Sequence, residues 1–138
     1  MSDESVEALK QVPLFQGMSD KALMRVAEIA KEVSHPAGKT ILEEDRSAAG
    51  FHLILSGEAQ ASHAGAALST MGPGDYFGEM SLIDGKPRSA SVTAVTDLRT
   101  LAIPAWNFSR LLDDNPEVVR ALLVALSERI RDLADHRH

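Results

Sequence analysis

The chain has no cysteine, one tryptophan, one tyrosine and four phenylalanines, and its 14 Lys and Arg are outnumbered by 20 Asp and Glu. Each shortage excludes something. Without thiols there is neither a disulfide nor a thiolate metal site. A formal charge of -6 is unsuited to gripping a polyphosphate backbone, so direct nucleic-acid binding is not expected. No apolar run approaches the ~20 residues that a spanning helix needs. The acidic start Met1-Ser2-Asp3-Glu4 leads into no apolar segment of the secretory kind. A soluble, cytoplasmic protein without membrane contact is the expectation. What is present, 138 residues of which 44% are hydrophobic and 25% charged, suits one domain able to bury roughly two-thirds of the surface of the unfolded chain.

The pattern changes twice along the chain, and one domain over residues 1–138 is expected in three parts. Residues 1–31 favour helix. A short helical piece over 3–10 is followed by a break at Gly17, then by Ser19 as an N-cap and by Leu23, Val26, Ala27 and Ala30 at helical spacing. Residues 32–103 read as short β-type runs at 39–42, 51–55, 58–62, 67–71, 90–95 and 98–103. Turn residues punctuate them: His35-Pro36-Ala37-Gly38, Ser56-Gly57, Gly72-Pro73-Gly74-Asp75 and Asp84-Gly85-Lys86-Pro87. That is the signature of a sandwich or barrel. Residues 104–138 return to helix. Pro104 fits the first turn of a helix over 105–113, and Asp113-Asp114-Asn115-Pro116 supplies N-cap chemistry and an N1 proline for a longer helix over 116–134.

The stretch richest in chemistry runs from Gly72 to Val92. Gly78 permits close backbone approach, and residues 79–83 suit one helical turn whose first N–H groups lack intrahelical partners, an arrangement that favours anions. Arg88 can bring a planar guanidinium to the same spot and hold a phosphate through two hydrogen bonds. Glu79 would repel that phosphate unless it accepts from a neighbouring sugar hydroxyl. A 3′,5′-cyclic nucleotide carries both groups in one compact ligand.

Phe77-Gly78-Glu79 followed by Pro87-Arg88-Ser89-Ala90 resembles the phosphate-binding cassette of the cyclic nucleotide-binding domain family, and Ser56-Gly57 after an apolar strand is a second landmark. The resemblance implies a mainly β fold: an eight-stranded β-roll, a double-stranded β-helix of jelly-roll type with its cassette at 77–91, flanked by N-terminal helices and two closing helices. It implies that Glu79 binds the ribose 2′-hydroxyl, that Arg88 binds the cyclic phosphate, and that main-chain amides at Gly78, Met80, Ser81, Ser89 and Ala90 donate further hydrogen bonds. It also implies a cyclic purine nucleotide as ligand. In the family a Thr directly after the arginine supports cGMP and an Ala suits cAMP; Ser89 sits between them, and cAMP is expected to be modestly preferred. Two positions depart from the family: Arg46 stands where a turn glycine is common, and His52 where a strand aromatic is.

Plainer readings stand beside these. Glu79 and Arg88 could form a structural ion pair. His35, His52 and His63 lack the close His-x-His pair of a small-barrel metal site, and His136 and His138, which have that spacing, lie at the terminus, so no metal is expected. With no cysteine and no Gly-x-Ser-x-Gly elbow, no enzyme is expected either. Between Val118 and Leu126 the last helix is apolar on more than one side, as a packed helix, a lid or a homodimer seam would be. A stripe of Val119, Leu122, Leu126, Ile130 and Leu133 can face a ligand, with Leu126, Arg129 and Ile130 far enough along to reach a purine. The signal would pass to an unknown effector protein. Two further readings are a scaffold module that kept the fold and lost the ligand, and the sensor part of a catabolite-activator-type transcription regulator. The latter needs a helix-turn-helix after the long helix, where this chain stops at His138.

Overall fold

The structure, a computed structural model, describes residues 2–42, 50–78 and 90–136. Helix α1 (Ser2–Lys10), a 3-10 turn (Pro13–Phe15) and α2 (Asp20–Ile29) come first. Ser19 does cap α2: its side chain accepts from the Ala22 amide at 3.1 Å. The face it starts turns Leu23, Val26 and Ala27 inward.

Among the described residues eight strands follow: β1 (Lys31–His35), β2 (Thr40–Leu42), β3 (Gly50–Ser56), β4 (Ala59–His63), β5 (Ala66–Met71), β6 (Tyr76–Phe77), β7 (Ser91–Ala94) and β8 (Leu98–Pro104). They form two antiparallel four-stranded sheets, ordered β1-β8-β3-β6 and β2-β7-β4-β5. Two strands were not legible in the hydrophobic pattern. β1 has one apolar residue, Val33, and is held by its ladder to β8, from Lys31 opposite Ala102 to His35 opposite Leu98. β6 is two residues long, too short for any alternation to register.

The near-continuous apolar run of β3 has a direct cause, because this strand is covered on both faces. Side chains alternate: Phe51 and Leu53 face the helices, while Ile54 enters the space between the sheets. Phe51 is fully buried, its ring stacked on Phe108 at 4.8 Å with Phe15 edge-on at 6.0 Å. β8 does the same, with Leu101 and Ile103 toward the helices and Leu98 toward the second sheet. The second core is smaller, joining Ile54, Phe77 and Leu98 to Ala59, Val92 and Ala94.

The chain ends in α3 (Ala105–Asp114) and α4 (Pro116–His136). Pro104 is the N-cap of α3, one residue before its expected place in the first turn. The joint between the helices also differs from expectation. Asn115 closes α3, donating its backbone N–H and its carboxamide Nδ2 to the Leu111 carbonyl at 3.0 and 2.9 Å. Its carboxamide nitrogen thus serves the end of α3, and its backbone carbonyl accepts from Val118 N of α4 at 2.9 Å. α4 then packs on the 3-10 turn and α3, burying Val118 and Leu122. No helix among the described residues is long and apolar enough to cross a membrane.

Candidate nucleotide site

Gly72-Pro73-Gly74-Asp75 is a tight turn that locks itself and the strand beside it. The Asp75 carboxylate accepts from Gly72 N at 2.8 Å, and Asp75 N returns a bond to the Gly72 carbonyl at 3.0 Å. Ile54 of β3 then grips both sides of the turn, accepting from Gly74 N and donating to the Asp75 carbonyl, each at 2.9 Å. The turn thus delivers β6 into register, Leu53 opposite Tyr76 and His52 opposite Phe77. Tyr76 packs on Phe51 at 5.3 Å on the helix side. Phe77 goes inward and lies flat on the His52 ring, 5.0 Å between centroids and 8° between planes.

Gly78 follows at φ +93°, a conformation open to glycine and strained for other residues. The backbone turns there as it leaves the edge of the first sheet. At the far end of the motif Ala90 is half-buried and leads into β7, an interior strand of the second sheet whose Val92 and Ala94 sit in the inter-sheet core. The motif therefore starts on one sheet and ends on the other. Glu79, Met80, Ser81, Arg88 and Ser89 lie outside the described residues, as does Arg46.

Small side chains line the second sheet's inner face. Ala59 stands opposite Ala94 and Ala61 opposite Val92, so alternation turns all four inward. Ala102, paired with inward-facing His52, adds another from the first sheet. Ala59, Val92 and Ala94 pack there against Ile54, Phe77 and Leu98.

The other candidate residues are more dispersed. Leu126 is half-buried and Ile130 exposed on α4, while the Arg129 side chain lies outside the described atoms. Val118, one position before the expected stripe, turns to the core, leaving Val119 partly exposed. His63 is exposed at the end of β4, whereas His35 and His52 are buried and meet at Thr100 Oγ1. Burial, with Lys39 as the second cause, holds the His35 imidazole below its ordinary pKa. No group of three or more His, Asp or Glu among the described residues is placed to hold a metal. Trp106 is exposed under the Arg110 guanidinium, 5.0 Å from the ring centre.

Residues 32–115 match the cyclic nucleotide-binding domain family. The chain belongs to this family. The cAMP-dependent protein kinase regulatory subunit of Aspergillus fumigatus is 35% identical over 114 residues, 81% of this chain and 28% of that protein. Among solved structures, the catabolite activator protein of Thermus thermophilus is 31% identical with a TM-score of 0.78, covering 90% of this chain and 61% of that one. The regulatory domain of Toxoplasma gondii PKA, crystallised with cAMP, is 25% identical with a TM-score of 0.84, covering 92% of this chain and 50% of that one. The chain thus spans less than two-thirds of the length of each. Relatives of this cyclic nucleotide-binding domain include both protein kinase regulatory subunits and a catabolite activator protein, and the β-roll expected from the motif is the fold observed.

Proposed function

We propose that this protein is a receptor for a cyclic nucleotide, cAMP ahead of cGMP, that binds ligand in its β-roll and signals through movement of α4. The observation that carries the reading is the left-handed Gly78 in Phe77-Gly78-Glu79, directly after the edge strand β6. In this reading Glu79 accepts from the ribose 2′-hydroxyl, Arg88 pairs with the cyclic phosphate, and amides at Gly78, Met80, Ser81, Ser89 and Ala90 complete the cradle. It involves no catalytic step, since it assigns Arg88 only to neutralise the phosphodiester and gives no group the task of attacking it. The whole of residues 1–138 acts as one unit, in the cytoplasm, with an effector protein as the receiver of the signal.

Calorimetric titration tests it. Saturable binding of cAMP is expected, modestly tighter than cGMP and much tighter than AMP. The 2′-deoxy analogue of cAMP should bind roughly 10- to 100-fold more weakly, the loss of one hydrogen bond to a charged group. That gap should shrink in Glu79→Gln. Absence of any cyclic nucleotide binding would favour the scaffold reading instead.

The lid rests on Leu126, Arg129 and Ile130. Ile130, Leu123 and Val124 are exposed on α4, apolar surface that a purine or a second copy of the chain could cover. If the helix closes over ligand, amide hydrogen exchange through residues 116–134 slows when cAMP is added. Unchanged exchange there at saturating cAMP would leave α4 as packing or as a homodimer seam.

A further inference from the structure

Among the described residues the two sheets have four edge strands, β1, β6, β2 and β5, and three of them are blunted. β1 carries Lys31 and Glu32, the latter paired with Arg99 of β8. β2 is three residues long and follows Lys39, and β6 is two residues long. Short strands and charged side chains keep an edge from pairing with another chain. β5 has neither device. It runs for six residues, Ala66–Met71, and is exposed from Ala66 to Thr70. It holds no charged residue and no proline, and residues 59–74 as a whole lack Asp, Glu, Lys and Arg, types that make up 25% of the chain.

β5 is laddered on one side, to β4, with Ala59 opposite Met71, Gln60 opposite Thr70 and Ala61 opposite Ser69. A strand directs its backbone N–H and C=O groups to both sides, so those of β5 that point away from β4 meet no strand of this chain. A shift of register after Ala61 leaves Leu68 without a partner on β4, and Leu68 is 60% exposed. Such a bulge can itself blunt an edge. Here Ser69 to Met71 keep regular pairing beyond it. On the outer face of the sheet Thr40, Thr93, Gln60 and Thr70 stand in one row across all four strands, polar and uncharged up to the free edge.

We propose that the free edge of β5 is an interface at which a second copy of this chain adds its own β5 antiparallel, across a two-fold axis at Ser69, so that the two second sheets join into one. Charge and symmetry identify the occupant. Two chains of formal charge -6 repel, and the repulsion is least where neither presents charge at the contact. β5 and the outer face beside it are such a place. An antiparallel edge also matches itself, because its donors and acceptors meet those of an identical strand turned end for end. With Ser69 opposite Ser69 of the second copy, Leu68 falls opposite Thr70, and the two Leu68 residues become diagonal neighbours, about 7–8 Å apart. That pairing removes exposed apolar surface from water. The inference does not depend on the nucleotide reading.

The full chain without nucleotide serves for the test. Sedimentation across the micromolar to millimolar range should show a reversible dimer that tightens as salt screens the repulsion between copies. Leu68→Lys and Thr70→Lys put charge on the edge and leave the backbone ladder to β4 in place; each should weaken the dimer by about tenfold or more with little change in the thermal melt. The chain has no cysteine, so single cysteines report on the contact without background. Directly opposed residues lie about 4.5–5.5 Å apart at Cα, within reach of a disulfide. Under mild oxidation Ser69→Cys should therefore cross-link two chains about tenfold faster than Leu123→Cys on α4, once each is scaled to its reaction with a small thiol reagent. A chain that stays monomeric to the millimolar range, or a dimer indifferent to both lysine substitutions, would overturn the proposal. So would cross-linking of Leu123→Cys as fast as that of Ser69→Cys, which would place the contact on α4.

Discussion

Replacing Arg88 with alanine is expected to weaken cAMP binding by about 2–4 kcal/mol, roughly 30- to 1,000-fold, the penalty for removing one partner of a desolvated, hydrogen-bonded charge pair. Two forces make the effect large. In the proposed site the phosphate would lose a bidentate guanidinium, and its negative charge would then be enclosed without a compensating cation in a chain that is already acidic overall. Lysine at this position should recover only part of the loss, because a point charge on a flexible stem cannot reproduce two parallel N–H donors. Stability should change little. The strand that follows, β7, is anchored by Val92 and Ala94 in the inter-sheet core and by ladders to β2 and β4, none of which needs a side chain at 88. Calorimetry alongside a thermal melt checks both halves. An Arg88→Ala protein that is folded and binds cAMP as tightly as wild type would remove Arg88 from the site.

What the sequence made legible follows from the range over which each signal acts. Ser19 and the face it starts could be read because an N-cap and a helical stripe are set by neighbours within a few residues. β3 could be read because burial on both faces makes the whole run apolar. β1 could not, because it has one apolar residue and its hold on β8, the backbone ladder with the Glu32–Arg99 and His35–Thr100 contacts, joins residues far apart in the sequence. On α4 the sequence left more than one side apolar, and the structure turns Val118 and Leu122 to the core with Val119 partly exposed, since one residue on a helix is a rotation of about 100°. The family motif was visible because Phe77-Gly78-Glu79 and Pro87-Arg88-Ser89-Ala90 stand close together in the sequence, and the structure describes its two ends, Gly78 and Ala90. The meeting of His35 and His52 at Thr100 was not. Thr100 is 65 residues from His35 and 48 from His52, and only the pairing of β1, β8 and β3 brings them together. In the sequence His52 was visible merely as a departure from an aromatic position; the structure makes it an aromatic stack with a polar anchor behind it.

Gly57→Ala is expected to destabilise the fold by about 3–5 kcal/mol, the combined effect of left-handed strain and of a clash against backbone that cannot yield. Gly57 sits at φ +91° between β3 and β4, and a methyl group there would lie 2.2 Å from the Asp97 carbonyl oxygen and 3.0 Å from Leu98 Cα. The two turns that meet here are tied together on both sides. Glu58 N donates to Thr96 Oγ1 at 3.0 Å, and the Glu58 carbonyl accepts from Val95 N at 2.9 Å. The new methyl group therefore cannot be accommodated without parting these bonds, and the loss would extend to the β7–β8 connection that places Leu98 in the inter-sheet core. Gly65→Ala is the matching control. Its φ of +81° imposes similar strain, but nothing lies within 4 Å of the added carbon, so about 1 kcal/mol is expected. Denaturant unfolding of the two variants separates strain from collision. Equal stability of Gly57→Ala and Gly65→Ala would mean that the turns do not approach so closely, and that the Ser56-Gly57 landmark reflects backbone conformation alone.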